Sequence, residues 1–132
     1  MSNLLHVFAL DDDPTSSFLL KQFIELHTSR PLQFDTATTV DEALDQLVHF
    51  HGQQQFPRLI FVDIRLPFKS GFAFIEAFEH TYFDQYPNCL VYVLSSSTRM
   101  SDKEQSARYP SVQKFIQKSD LDDQLAGILA NA

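Results

Sequence analysis

The sequence predicts an α/β domain of the doubly wound class, a five-stranded parallel sheet with five helices on its faces. Three observations carry that expectation. Short, nearly continuous apolar runs alternate with stretches of helical periodicity, the pattern of strands buried on both faces and joined by crossover helices. The runs close on polar residues suited to chemistry: Asp11-Asp12-Asp13 after the first and Asp63 after the third. No internal repeat, low-complexity stretch or linker interrupts the alternation. At 132 residues and 44% hydrophobic content the chain is long enough for one sizeable core, so residues 1–132 are expected to form a single domain with no output domain.

Leu4 to Leu10 is the first strand, apolar almost throughout. Asp13 then Pro14 reads as N-cap and first helical residue, with Phe18, Leu19, Phe23 and Leu26 spaced as the apolar face of the first helix. Leu32 to Ala37 alternates like a less buried edge strand, and the helix from Thr39 to Phe50 sets Ala43, Leu44, Leu47 and Val48 on one side. Thr39-x-x-Glu42 has the form of a capping box and marks that helix's start. After a loop from Gly52 to Pro57, Arg58 to Val62 is the third strand, and the helix from Gly71 to about Phe83 turns Phe74, Ile75 and Phe78 inward. Cys89 to Leu94 is the fourth strand, and the polar stretch from Ser95 to about Arg108 holds a short fourth helix. Val112 to Gln117 is the fifth strand, and the helix from Asp120 to Leu129 carries Leu121, Leu125, Ile128 and Leu129 on its apolar face.

A formal net charge of -7 and a pI near 5.0 argue against nucleic acid, whose binding needs clustered Lys and Arg. Cys89 is the single cysteine and has no internal disulfide partner; it reads as a buried thiol. The N-terminus lacks the features of a signal peptide, and no apolar stretch approaches the roughly 20 residues that span a bilayer, so a cytoplasmic location with no membrane role is expected. His6, His27, His49, His51 and His80 are scattered and read as surface residues. Phe68, Phe72 and Phe83 read as core or loop packing, with an exposed pair of them as a candidate interface element.

In a doubly wound sheet, ligands gather at the C-terminal edge of the strands where strand order reverses. The residues at those turns are Asp11 and Asp12, Asp63, Ser95 and Lys118. In a flavodoxin-like order 2-1-3-4-5 the first and third strands are neighbours, which brings three carboxylates together. Such a cluster repels itself unless one group is protonated or a hard cation binds, and Mg²⁺ suits one or two carboxylates while leaving room for a phosphate oxygen. With the metal and Lys118 holding its oxygens, a phosphoryl group is open to attack by Asp63, giving an aspartyl-phosphate to which Ser95 donates a hydrogen bond.

On Asp11-Asp12, Asp63-x-x-x-Pro67-x-x-x-Gly71, Leu94-Ser95 and Lys118, in order along nearly the whole chain, the sequence resembles the receiver domains of two-component response regulators, CheY-like in being a single domain. The resemblance implies Asp63 as phosphoacceptor, with Asp12 and Asp63 on Mg²⁺ directly, Asp11 mainly through water, and the backbone carbonyl of Arg65 as a further ligand. It implies Ser95 as the switch hydroxyl, Phe115 as the switch aromatic and Lys118 as the phosphate contact. A histidine kinase or phosphotransfer protein would supply the phosphoryl group. With no output domain, the signal would pass to a downstream protein through the fourth helix, fifth strand and fifth helix, or along a phosphorelay, and a homodimer is left open. The domain would be no enzyme beyond catalysing its own phosphorylation and dephosphorylation.

Where the family usually has proline after the lysine, this chain has Ser119, so the loop either runs trans or carries the strain of a non-proline cis bond, about 2.5–4 kcal/mol. Arg65 is bulky beside the acceptor, Ser96 and Ser97 follow the switch position, and Leu66 replaces a frequent Met. Two other readings compete. A pseudo-receiver would bind a partner without phosphorylation, an option the Ser119 change keeps open. A Mg²⁺-dependent phosphatase with an aspartyl-phosphate intermediate would want a second Asp where Arg65 stands, and a substrate cap for which the chain is too short.

Overall fold

The structure, a computed structural model, describes residues 3–132. Five parallel strands, β1 (Leu5–Leu10), β2 (Leu32–Ala37), β3 (Leu59–Val62), β4 (Leu90–Ser95) and β5 (Val112–Gln117), form one sheet in the order β2-β1-β3-β4-β5. Five helices alternate with them: α1 (Pro14–His27), α2 (Val40–Gly52), α3 (Gly71–Thr81), α4 (Met100–Ser106) and α5 (Leu121–Ala130), the last entered through a 3₁₀ turn at Lys118–Asp120. This is the expected doubly wound architecture, with element ends shifted by a residue or two.

The alternation of side chains along the buried strands sorts the core into two layers. Val7, Ala9, Leu59, Phe61, Tyr92 and Leu94 face α1 and α5, where Leu20, Ile24, Leu121, Leu125 and Ile128 meet them. Phe8, Leu10, Ile60, Val62, Val91 and Val93 face the other way, against Ala43 and Leu47 of α2 and Phe74, Ile75 and Phe78 of α3. Strand β2 lies at the edge and is only half-buried, as its alternation predicts.

Local capping chemistry starts the helices where the sequence places them. Asp13 Oδ1 accepts the Thr15 N–H at 3.0 Å at the head of α1. Thr39 Oγ1 accepts the Glu42 N–H at 3.2 Å, while the Glu42 carboxylate reaches back to the Thr38 N–H, one residue earlier than the standard box.

Three expectations are corrected. The inward face of α1 is Ser17, Leu20 and Ile24, leaving Phe18, Leu19 and Leu26 exposed and Phe23 at the margin. Val48 points outward from α2. His6 is buried on β1, where its Nε2 lies 2.8 Å from Asp35 Oδ2 on β2 and its ring meets Phe50 edge-on; a residue on a strand covered on both faces is buried whatever its polarity. The other four histidines are exposed. Of the three phenylalanines read as core or loop packing, Phe72 is buried and Phe83 half-buried, so Phe68 alone stands exposed, with a φ of 70° that phenylalanine rarely adopts, and the candidate exposed pair is not formed. Cys89 is buried, and that burial pushes its thiol up to about 12.

Gly71 opens α3 against the turn that follows β3. A Cβ built there would lie 2.2 Å from the Asp63 carbonyl oxygen and 2.9 Å from the Ile64 Cα, both backbone atoms that cannot swing aside. Space, not conformational freedom, requires glycine, because the approach sets the backbone of Asp63 itself. Gly71→Ala is therefore expected to lower stability in urea unfolding by about 1–3 kcal/mol. The same change at Gly127 on α5, with nothing within 4 Å, should be neutral or stabilising by up to about 1 kcal/mol.

Candidate functional site at the strand edge

The register of β1 and β3 pairs Leu10 with Val62, so the next residue on each strand, Asp11 and Asp63, emerges side by side. Backbone bonds hold them there: the Asp63 N–H donates to Leu10 O at 2.8 Å, and the Asp11 N–H to Ala37 O at 3.0 Å. Asp12 follows on the connection to α1 and is exposed, whereas Asp11 and Asp63 are buried. Carboxylate oxygens of all three lie within 4.8 Å of one another. These are hard oxygen donors at one accessible edge, a set that fits a divalent cation such as Mg²⁺.

Lys118 reaches into this cluster from the end of β5. Its Nζ lies 2.9 Å from Asp11 Oδ2 and 3.2 Å from Asp63 Oδ2, and it donates to Ser16 Oγ at 3.0 Å. Ser119 does not cost it that reach: no peptide bond among the described residues is cis, so the loop runs trans and lysine still meets both acids. The other Asp63 oxygen accepts the Arg65 N–H at 2.9 Å. Asp11 Oδ1 accepts the Asp13 N–H at 2.9 Å, which orients that carboxylate from its own chain. Ser95, fully buried at the end of β4, accepts the Ser97 N–H on its Oγ at 3.1 Å. Phe115 lies half-buried on β5, packed against the α2–α3 side of the core.

The electrostatics are those of a strained acid beside a reinforced base. Burial raises the Asp63 carboxyl above its ordinary 3.8; the Arg65 N–H and the Lys118 charge pull it down, the Asp11 charge pushes it further up, and the net shift is upward. Burial alone would lower Lys118, but its bond to Asp11 and the charges of Asp63 and Asp11 outweigh that, so its ammonium is held above the usual lysine value.

Sequence reasoning brought together Asp11, Asp12, Asp63 and Lys118, and the structure places all four within one cluster, with the Arg65 backbone beside it. It missed Ser16, which both supports the Lys118 ammonium and donates to Asp13 Oδ2 at 3.2 Å. It also missed Asp102 of α4, whose Oδ2 takes the Arg65 guanidinium at 2.6 Å.

A family model for the response regulator receiver domain matches residues 7–129. The chain belongs to that family. Receiver domains bind Mg²⁺ at an acidic aspartate cluster and interact with histidine kinases or phosphotransfer proteins. No curated protein matches the sequence. Among solved structures, a two-component response regulator from Cytophaga hutchinsonii is 21% identical, covers 100% of both chains and superposes with a TM-score of 0.83. The phosphorylated cyanobacterial phytochrome response regulator RcpA is 22% identical over 97% of this receiver and 96% of that chain, with a TM-score of 0.81. The Mn²⁺-bound form of response regulator Rcp1 is 19% identical over 96% and 92%, with a TM-score of 0.74. At these identities the likeness shows the fold alone. Among the described residues, no helix is long and apolar enough to cross a membrane.

A carboxyl raised in the folded state leaves stability fully present below the unfolded value of 3.8 and takes it away as pH rises through the folded value. Above that range the fold bears this cost, so at pH 7 Asp63→Asn is expected to melt a few degrees higher than the wild-type receiver in calorimetry, and the difference should shrink as pH falls toward the ordinary carboxylate value.

Proposed function

We propose that this receiver is a phosphorylation-dependent switch in which Asp63 accepts a phosphoryl group from the phosphohistidine of a kinase or phosphotransfer protein. An Asp63 oxygen attacks phosphorus, the P–N bond breaks, and its electron pair leaves with the imidazole nitrogen. The observation that carries this reading is the convergence of Asp63, Asp11 and the Lys118 ammonium at one strand edge, with Asp12 open to solvent beside them. Lys118 would steady the phosphoryl oxygens, and the Arg65 N–H already fixes the carboxylate's orientation. Asp12, Asp63 and the Arg65 carbonyl would hold Mg²⁺, with Asp11 mainly behind a water. When bound, the cation supplies positive charge against the phosphoryl oxygens.

The product places about -1.5 to -2 charge at the sheet edge. The Ser95 hydroxyl would turn to donate to it, the β4–α4 connection would follow, and Phe115 would take up the space released. That couples Asp63 to the surface of α4, β5 and α5, where a cleft of about 360 Å³ is lined by Arg99, Met100, Lys103, Lys114 and Phe115, among others. A downstream protein that reads this face, or a phosphorelay partner that takes the group onward, would complete the output.

Incubation with Mg²⁺ and acetyl phosphate or phosphoramidate, followed by intact mass measurement, should show one added phosphoryl group. The adduct should be absent with EDTA and in Asp63→Asn. Failure to form any adduct, together with failure to bind Mg²⁺, would instead identify a pseudo-receiver that binds its partner unmodified.

A further inference from the structure

Beyond the acidic cluster, a second polar cluster joins the acceptor turn to α4. The Arg65 N–H donates to Asp63 Oδ1 at 2.9 Å, so the root of this side chain lies beside the acceptor. Its guanidinium is engaged elsewhere, donating from Nη2 to Asp102 Oδ2 at 2.6 Å. The same Asp102 oxygen takes the Ser97 hydroxyl at 2.6 Å. Ser97 donates its N–H to Ser95 Oγ at 3.1 Å, and its Oγ accepts the Arg99 N–H at 3.1 Å. One carboxylate therefore ties together the turn after Asp63, the connection after Ser95 and the body of α4.

The two ends of this tie differ in freedom. The Asp102 side chain is only 13% exposed while that of Arg65 is 51% exposed, so the acid is enclosed and the base has open solvent beside it. The Ser97 hydroxyl first, then the Arg65 and Arg99 guanidinium groups, hold the Asp102 carboxyl below its ordinary value although burial works the other way. Arg65 gives Asp102 one nitrogen on one oxygen. A phosphoryl group on Asp63 would offer three acceptor oxygens and more charge, the ligand to which a guanidinium fork is best matched. Helix α4 has little stability from its own length: it spans seven residues, and Arg99 at its head provides no side-chain cap.

We propose that Arg65 is a charge latch: it pins α4 through Asp102 while Asp63 is unmodified, and crosses to the phosphoryl group once Asp63 carries one, releasing the Ser97–Ser106 segment. This rests on the reading of Asp63 as phosphoacceptor and adds a route to α4 that does not pass through Phe115. Two states of one side chain, each held by a different anion, make a switch of the bistable kind.

The test uses beryllofluoride with Mg²⁺ as a phosphoryl mimic on the wild-type chain, Asp102→Asn and Arg65→Gln. Hydrogen exchange of residues 97–106 and the beryllofluoride concentration for half-saturation are the readouts. In the wild type the mimic should speed exchange of this segment about fivefold or more, and both variants should exchange at the faster rate without it. Saturation should move in opposite directions, to lower concentration in Asp102→Asn, which removes the competing anion, and to higher in Arg65→Gln, which removes the cation. A merely structural ion pair would shift both the same way or neither, and that result overturns the latch, as does a wild-type segment that the bound mimic leaves unchanged. A wild-type chain that binds no beryllofluoride overturns the phosphoacceptor reading and the latch with it.

Discussion

The gathering of like charge where β1 and β3 end is the constraint from which the rest of the site follows. Parallel pairing of Leu10 with Val62 leaves Asp11 and Asp63 no choice but to stand next to each other, and burial denies them the water that would screen their repulsion. Lys118 relieves part of it by touching both. Burial first, with the Asp11 charge added to it, still holds the Asp63 carboxyl above its ordinary value despite an ammonium 3.2 Å away. The fold supports this unfavourable arrangement with close packing elsewhere: two apolar layers clamp the sheet, and Gly71 lets α3 start against the Asp63 carbonyl with no side chain between. A site under such tension responds to any added cation or covalent charge, which is what a phosphoacceptor requires.

Two lines lead from Asp63 toward the surface. One runs through Ser95, buried at the end of the next strand, and the connection that follows it. The other runs through Arg65 and Asp102 directly into α4. They meet at Ser97, which bonds Ser95 with its backbone and Asp102 with its hydroxyl. Under the proposed latch, motion of either end would be felt at the other. The short, uncapped α4 is the element on which both act.

The residues that strands deliver to the sheet edge were legible in the sequence because each follows a strand-like run, and a doubly wound topology sends all such ends to one side. Asp11, Asp12, Asp63, Ser95 and Lys118 come into view that way. The strands themselves were readable because burial on both faces leaves an almost unbroken apolar signature. The inward face of α1 was not: Phe18, Leu19 and Leu26 are as apolar as Leu20 and Ile24, and only the way the helix lies on the sheet chooses between them. His6 looked like a surface residue because its partner Asp35 is 29 positions away and known only once β2 is laid beside β1. The Arg65–Asp102 pair spans 37 positions and joins a turn to a short polar helix, so no local pattern announces it. Contacts between elements of weak periodicity are where sequence reasoning ends.

Burial, with the Asp11 charge added to it, raises the Asp63 carboxyl, and a bound divalent cation would lower it. Carbon-13 titration of the Asp63 carboxyl, without and with Mg²⁺, tests it most directly. The expected midpoint lies above the ordinary 3.8 in the metal-free protein and falls markedly when Mg²⁺ is added. A midpoint at or below that value, unmoved by Mg²⁺, would contradict it.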